Sequence, residues 1–327
     1  MDVVSLFAGC GGLDLGFERA GFNVKWANEN DSSIFETYRR NHLNTILNTT
    51  DVRLLKDQDI PSCDGVIGGP PCQSWSEGGK QLGLEDPRGK LLLEYVRIVK
   101  MKKPKFFVIE NVQGILDDKH KQSLAFIIES LQSIGYSIKH KLINASDFKV
   151  PQDRYRVFFI GIRNDIHNTF TFPLAATGRK ITLREAIGDI VERPRFFNDE
   201  MILTEHPARK NHDVYTGNYD AKYMSRNRVR SWNEQSFTIQ AQARNEPQHP
   251  QAPKMAYVSS DKRIFAKGHE HLYRRLSVRE CARIQTFSDS FVFFYTNIRN
   301  GYKMVGNAVP PRLAYALAVQ IQKMCFR

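Results

Sequence analysis

The first half of the chain alternates short apolar runs with segments of helical spacing. Residues 3–7 form a β-branched apolar run that reads as a buried strand, closed by a glycine-rich turn at 9–12. Residues 13–20 have helical spacing and stop at Gly21, a suitable C-cap. The same reading predicts strands over 23–28, 65–68, 105–109, 137–142 and 156–162. It predicts helices over 32–41, 91–102 and 123–133, with Pro104 and Gly135 as stops. Strands separated by helices predict an α/β fold with a doubly wound, mostly parallel sheet.

After about residue 170 the texture changes. Pro, Asn, Arg and Gln crowd positions 194–253, and helical periodicity fades. One candidate strand lies at 238–241. Helical spacing returns at 276–286 and in a closing amphipathic segment at 313–324. The expected organisation is an α/β domain over 1–175, a smaller loop-rich domain over 176–275, and a return over 276–327 that completes the first. No internal repeat or low-complexity tract is visible.

A chain of 327 residues can bury a substantial core in this arrangement. The N-terminus lacks a basic segment followed by a long apolar one, and no stretch approaches the roughly 18 apolar residues of a membrane span. A cytoplasmic location is expected. The five cysteines, Cys10, Cys63, Cys72, Cys281 and Cys325, include no C-x-x-C pair, which argues against a disulfide framework or a zinc site. His269 and His271 flank a glutamate but lack further ligands, so no metal is expected. The net charge is +12. Residues 222–275 carry 11 Lys/Arg against 4 Asp/Glu, so over half the excess sits in a sixth of the chain. That concentration suits a polyanionic partner, or else a solvated basic face.

Three places carry candidate chemistry. Phe-Ala-Gly-Cys-Gly-Gly-Leu at 7–13 follows a strand and opens a helix, where glycines let backbone approach a ligand. Glu29 ends the second strand, where an acid can bind ribose hydroxyls. The glycines at 9, 11 and 12 depart from the G-x-G-x-x-G of nicotinamide sites and favour another adenosine-bearing ligand. Gly-Gly-Pro-Pro-Cys-Gln-Ser-Trp-Ser at 68–76 places Cys72 in a proline-stiffened loop at a strand's carboxyl end, a candidate nucleophile. Glu110 ends the apolar run before it and is a candidate acid. A thiol and a carboxyl in one sheet layer suit covalent catalysis with a positioned acid.

These segments, with Glu-Asn-Val at 110–112, Gln-Asp-Arg-Tyr-Arg-Val at 152–157, residues 274–287 and Gly-Asn-Ala-Val-Pro at 306–310, resemble in order the motifs of bacterial DNA (cytosine-5) methyltransferases. The match spans nearly the whole chain. Residues 224–233 and 249–253 look closest to the GGCC-specific HaeIII-type enzymes. The resemblance implies S-adenosylmethionine as methyl donor and double-stranded DNA as partner. It further implies monomeric action on a flipped-out cytosine and pairing with a restriction endonuclease. It makes Cys72 the nucleophile at carbon 6, Glu110 the partner of N3, and Arg154 the residue that holds the base. Phe7, Gly9, Gly11, Leu13, Glu29, Asn30, Asp51, Val52, Pro70, Leu91, Asn307 and Val309 would line the cofactor site. Arg226, Arg228 and Arg230 alternate as on one side of an extended segment and, with Arg244, are candidates to read guanines in the major groove. The alternative for each arginine is phosphate contact alone. Two positions depart from the pattern. Asn30 stands where relatives commonly carry Trp or Tyr, and Ser288 stands in place of a usual proline. A tRNA cytosine-5 methyltransferase and a catalytically inactive DNA-binding regulator are the rival readings. The arginine-rich insertion argues against the first and the intact motifs against the second.

Overall fold

A computed structural model of the chain describes residues 1–71, 90–201 and 210–326. The strands are β1 (Asp2–Leu6), β2 (Asn23–Asn28), β3 (Ile46–Asn48), β4 (Gly65–Gly68), β5 (Phe106–Val112), β6 (Tyr136–Asn144), β7 (Tyr155–Arg163), β8 (Arg195–Phe197), β9 (Asp213–Tyr215), β10 (Ala256–Ser259) and β11 (Lys262–Ile264). The helices are α1 (Gly12–Arg19), α2 (Phe35–Asn41), α3 (Leu91–Lys102), α4 (Lys121–Ser133), α5 (Leu183–Ile187), α6 (Val278–Ile284), α7 (Ile298–Asn307) and α8 (Pro311–Cys325). Among the described residues no helix is long and apolar enough to cross a membrane.

The chain divides into two compact units. The first comprises residues 1–144, 155–175 and 311–327. Its seven-stranded sheet has the order β3-β2-β1-β4-β5-β7-β6. The first five strands in that order run parallel, and β7 is antiparallel to both β5 and β6. The α/β fold with a mostly parallel sheet is therefore the one the alternation predicts. From β1 the chain moves outward to β2 and β3, then returns to β4 on the other side of β1. The crevice between β1 and β4 is a topological switch point, the usual place for a ligand in such sheets.

The central strands β1, β4 and β5 are buried on both faces, as parallel strands covered by helices must be. Val4, Leu6, Val66, Phe107 and Ile109 meet Leu92, Tyr95, Ile98 and Val99 of α3 and Ile127 and Leu131 of α4 in one core. The Tyr95 hydroxyl donates to the carbonyls of Val66 and Val108, 2.8 Å each, tying α3 to β4 and β5. On the other side α8 lies against α1. A Cβ on Gly16 would stand 2.3 Å from the Ala314 Cβ and 2.7 Å from the Pro311 carbonyl oxygen, so glycine is what permits this approach.

The second unit comprises residues 145–154 and 176–310. Sheet content is small: β8 pairs in parallel with β9, and β10 with β11 as a hairpin. Val229, Ala252 and Met255 form a minor apolar cluster with Met224, Phe265, Leu272 and Tyr273. Buried arginines tie loops together. Arg275 donates to the carbonyls of Tyr215, Gly217, Asn218 and Arg244, and Arg279 to those of Lys210, Ser288 and Phe291. Loop carbonyls in a folded interior need donors, and a guanidinium supplies up to five. Part of the basic excess of 222–275 is thus structural.

Three expectations change. Residues 238–241 form no strand, because the Ile239 amide donates to the Gln152 side chain at 2.8 Å instead of to a ladder. The helix expected over 276–286 is the shorter α6, set by a capping box in which Ser277 and Glu280 exchange hydrogen bonds. The contiguous piece that rejoins the first unit begins at Pro311 rather than 276, and residues 145–154 fold with the second unit.

Candidate active site

In the first unit the candidate residues gather along the carboxyl edge of the parallel strands. After β1 the backbone turns sharply, with positive φ at Phe7, Gly9 and Gly11 (54°, 57° and 84°). The Ala8 amide donates to the Asn28 carbonyl and the Gly11 amide to that of Ala8. Gly11 then caps α1, whose Leu13 points into the core. Around the Gly9 α-carbon there is open space, with no atom within 4 Å of a built Cβ.

Glu29, at the end of β2, holds this turn. Its Oε2 accepts from the Gly9 amide and its Oε1 from the Asp31 amide, 2.9 Å each. Burial pushes the Glu29 carboxyl up from its ordinary value. Asn30 beside it is exposed. Asp51 caps the short turn over Val52–Leu54, accepting from the Arg53 amide. The Arg53 guanidinium paired with it lowers its carboxyl pKa. Val52 is buried, and its carbonyl is bound by Arg97.

Past the switch point lie β4 and β5. Pro70 is buried, and the Asn111 amide approaches its carbonyl at 3.4 Å. Leu91 begins α3 and is partly buried against the core. Glu110 is 8% exposed at the end of β5. Its Oε1 pairs with Arg156 Nε of β7 at 2.9 Å, and its Oε2 would lie 3.1 Å from a Cβ on Gly69. The acid therefore reaches over the loop that follows β4. Cys72 itself lies outside the described residues.

The two arginines of the Gln-x-Arg-x-Arg segment have different employment. Arg154 precedes β7 and belongs to the second unit, where it is 1% exposed. Its guanidinium donates to the carbonyls of Ile239, Gly306 and Ala308. Gln152 joins the same scaffold: it donates to Gln285, which donates to the Val305 and Ala308 carbonyls. A base-holding role for Arg154 conflicts with this burial, and Arg156 is the arginine beside the acid. Asn307 is exposed at the end of α7 and Val309 is buried, both in the second unit.

The DNA-reading candidates are also not alike. Arg226 and Arg244 are exposed. Arg228 is 9% exposed; its Nε and one terminal nitrogen donate to the carbonyls of Tyr223 and Lys222, and it stacks on the Tyr223 ring. Arg230 pairs with Glu234 and Asp153 and lies over Phe237. The three do not share one exposed side, because the segment around them is held by loop contacts rather than by a strand ladder.

Comparison with known proteins agrees with this picture. Residues 1–323 match the family model described as C-5 cytosine-specific DNA methylase. The type II methyltransferase M.MthTI of Methanothermobacter thermautotrophicus is 49% identical over 99% of this chain and 97% of its own length. M.FnuDI of Fusobacterium nucleatum is 47% identical over 99% and 94%. A prophage-encoded E. coli chain shares the fold at TM-score 0.74, with 24% identity and 99% coverage of both chains. A methyltransferase of Entamoeba histolytica does so at TM-score 0.71 and 17% identity, over 99% of this chain and 98% of its own. The chain belongs to the C-5 cytosine-specific DNA methylase family.

Proposed function

We propose that this DNA cytosine methyltransferase is a type II enzyme that modifies a flipped-out cytosine within GGCC, through a covalent adduct to Cys72. The observation that carries the reading is the placement of the Glu29-bound glycine turn and the Glu110–Arg156 pair on either side of one switch point, with β4 between their strands.

The family uses S-adenosylmethionine, and the residues fit it. The Gly9 turn faces open space, and each Glu29 oxygen keeps a lone pair for a ribose hydroxyl after accepting one amide. Phe7, Gly11, Leu13, Asp51, Val52, Pro70, Leu91, Asn307 and Val309 are proposed to complete the site. When bound, S-adenosylmethionine supplies an electrophilic methyl group on a sulfonium sulfur. Carbon 5 of cytosine is a poor nucleophile while the ring is aromatic. Addition of the Cys72 thiolate to carbon 6 makes carbon 5 enamine-like. Glu110 meets N3, where electron density develops, and Arg156 orients that carboxyl. Loss of the carbon 5 proton and β-elimination release Cys72.

The base must leave the duplex to reach these groups. The second unit, with residues 176–275 at its centre, is proposed to read the site. Arg226 and Arg244 are exposed donors, whereas the buried Arg228 spends two of its nitrogens on carbonyls. Guanine O6 and N7 are the preferred targets of such side chains, and GGCC offers guanines on both strands. The likeness of residues 224–233 and 249–253 to GGCC-specific enzymes supports the sequence. Pairing with a cognate endonuclease and action as a monomer follow from the type II reading. Bisulfite sequencing of DNA from cells expressing the chain should show protected cytosines only within GGCC. A duplex carrying 5-fluorocytosine should trap the enzyme, and trapping by Cys72→Ala would refute the nucleophile.

A further inference from the structure

The ligand-facing side of the 7–12 turn is accounted for by Glu29; its back is held by a second set of residues. His42, the C-cap of α2, is 3% exposed. Its Nε2 lies 3.3 Å from the Cys10 carbonyl oxygen and its Nδ1 3.1 Å from Glu18 Oε1. The ring fills the space beside Gly11 so closely that a Cβ there would stand 2.0 Å from Nε2. Tyr38 stacks on the other face of the imidazole, with centroids 4.4 Å apart and planes 22° apart. The Tyr38 hydroxyl donates to Asp14 Oδ2 and the Ser5 hydroxyl to Asp14 Oδ1, 2.6 Å each. A buried polar network thus runs from β1 through α1 and α2 to the back of the turn.

We propose that His42, as an imidazolium, is a positioning residue that locks the 7–12 turn in its cofactor-binding shape, so that S-adenosylmethionine affinity depends on the proton it carries. The proposal rests on that turn being the S-adenosylmethionine site. The geometry asks for the charge: a backbone carbonyl can only accept, and Glu18 as a carboxylate only accepts, so both ring nitrogens must donate. Titratable groups face the ring from each element that packs on it, and those of α1 are the charged ones. Glu18 and Asp14 come from α1, Tyr38 from α2 and Cys10 from the turn. Burial alone would lower the imidazole pKa, but the Glu18 hydrogen bond and the charges of Asp14 and Glu18 raise it above 6.5. Tyr38 and Cys10 are pushed upward by burial, Cys10 to about 12, and stay neutral. Above the raised pKa the ring keeps one proton and must give up one hydrogen bond, freeing either the turn or Glu18. His42 meets the turn at the Cys10 carbonyl and beside Gly11, so the effect reaches the cofactor through that backbone.

The test is calorimetric binding of S-adenosylhomocysteine to the full-length protein from pH 6 to 9, for wild type, His42→Ala, His42→Gln and Glu18→Gln. The ligand's own amine titrates alike in every protein, so the ratio of variant to wild-type Kd is read. At low pH His42→Ala should bind about tenfold more weakly, the loss expected for a hydrogen bond to a charged group. The ratio should shrink as pH rises through the ring's pKa. His42→Gln, whose amide can still donate to Cys10, should recover part of the affinity without the pH dependence. Glu18→Gln should move the wild-type transition to lower pH. KM for the cofactor should change more than kcat in each variant. Should His42→Ala fail to fold, His42→Gln and Glu18→Gln decide. Variants that follow the wild-type curve over the whole range would overturn the proposal. A wild type that binds no ligand would instead overturn the cofactor reading beneath it.

Discussion

Arg154 and Arg156 differ by one strand step, yet one is spent on carbonyls and the other meets Glu110. The reason lies in where β7 starts. Tyr155 is its first residue, so Arg156 projects from the sheet while Arg154 still belongs to the connecting segment of the second unit. The two substitutions should therefore fail differently. Arg156→Ala and Glu110→Gln should each lower methyl transfer by about 10²–10⁴-fold, the range for a lost acid–base contribution, with a normal melting temperature. Arg154→Ala should lower the melting temperature, since it leaves buried carbonyls without donors. A radiolabelled-methyl assay beside a thermal melt separates the outcomes. Asn30 offers a gain instead. It is exposed beside Glu29, and Asn30→Tyr should tighten S-adenosylhomocysteine binding by roughly 2–10-fold through stacking, as read by calorimetry.

Among the elements, α1 and α6 show how much depends on single contacts. Gly16→Val should destabilise the protein by about 1–3 kcal/mol in urea unfolding, because α8 leaves no room beside that position. In α6, Glu280 is fully buried. Burial alone would push its carboxyl up, but Arg274 at 2.7 Å, with His249 and His212, holds it down at about 2. Its unfolded value is near 4.5, so its contribution is complete above 4.5 and is lost as pH falls toward 2. His249 is pushed down to about 4 by burial, so folding loses stability as pH falls from 6.5 toward 4. Both effects act in one direction. The melting temperature should fall as the solution is acidified from neutral, and His249→Gln should flatten the upper part of that fall. The elements around the 7–12 turn were legible because their buried positions follow the strand and helix periods: β2, β4 and α3 lie where the pattern puts them. The short edge strand β3 and helix α7 were not read. Ile46 in β3 is exposed, and α7 sits after a stretch whose periodicity is hidden by turns, although Ile298, Tyr302 and Val305 share its buried face.

Over the whole molecule, the net charge of +12 divides into two populations that a sequence does not distinguish. Arg228, Arg275 and Arg279 are spent inside the second unit, whereas Arg226 and Arg244 are exposed. The slope of DNA affinity against salt should therefore correspond to fewer phosphate contacts than 11 basic residues in 222–275 would suggest. Arg226→Ala should relax discrimination between GGCC and other duplexes and leave the salt slope nearly unchanged, as measured by competition binding. An equal loss on all sequences, with a shallower slope, would make it a phosphate contact. Ordered motifs made the reaction class legible. The division of labour among the arginines was not, because guanidinium groups that bind carbonyls and those that bind DNA have the same codon-level signature.

The packing of α8 on α1 also sets a schedule. Helix α1 follows the 7–12 turn and leaves the ribosome early, but the helix that covers it, α8, is synthesised some 300 residues later. At roughly 5–20 residues per second, α1 waits about 15–60 s for its cover. During that interval the face of α1 around Gly16 has no cover on that side, and chaperones have a defined segment to shield.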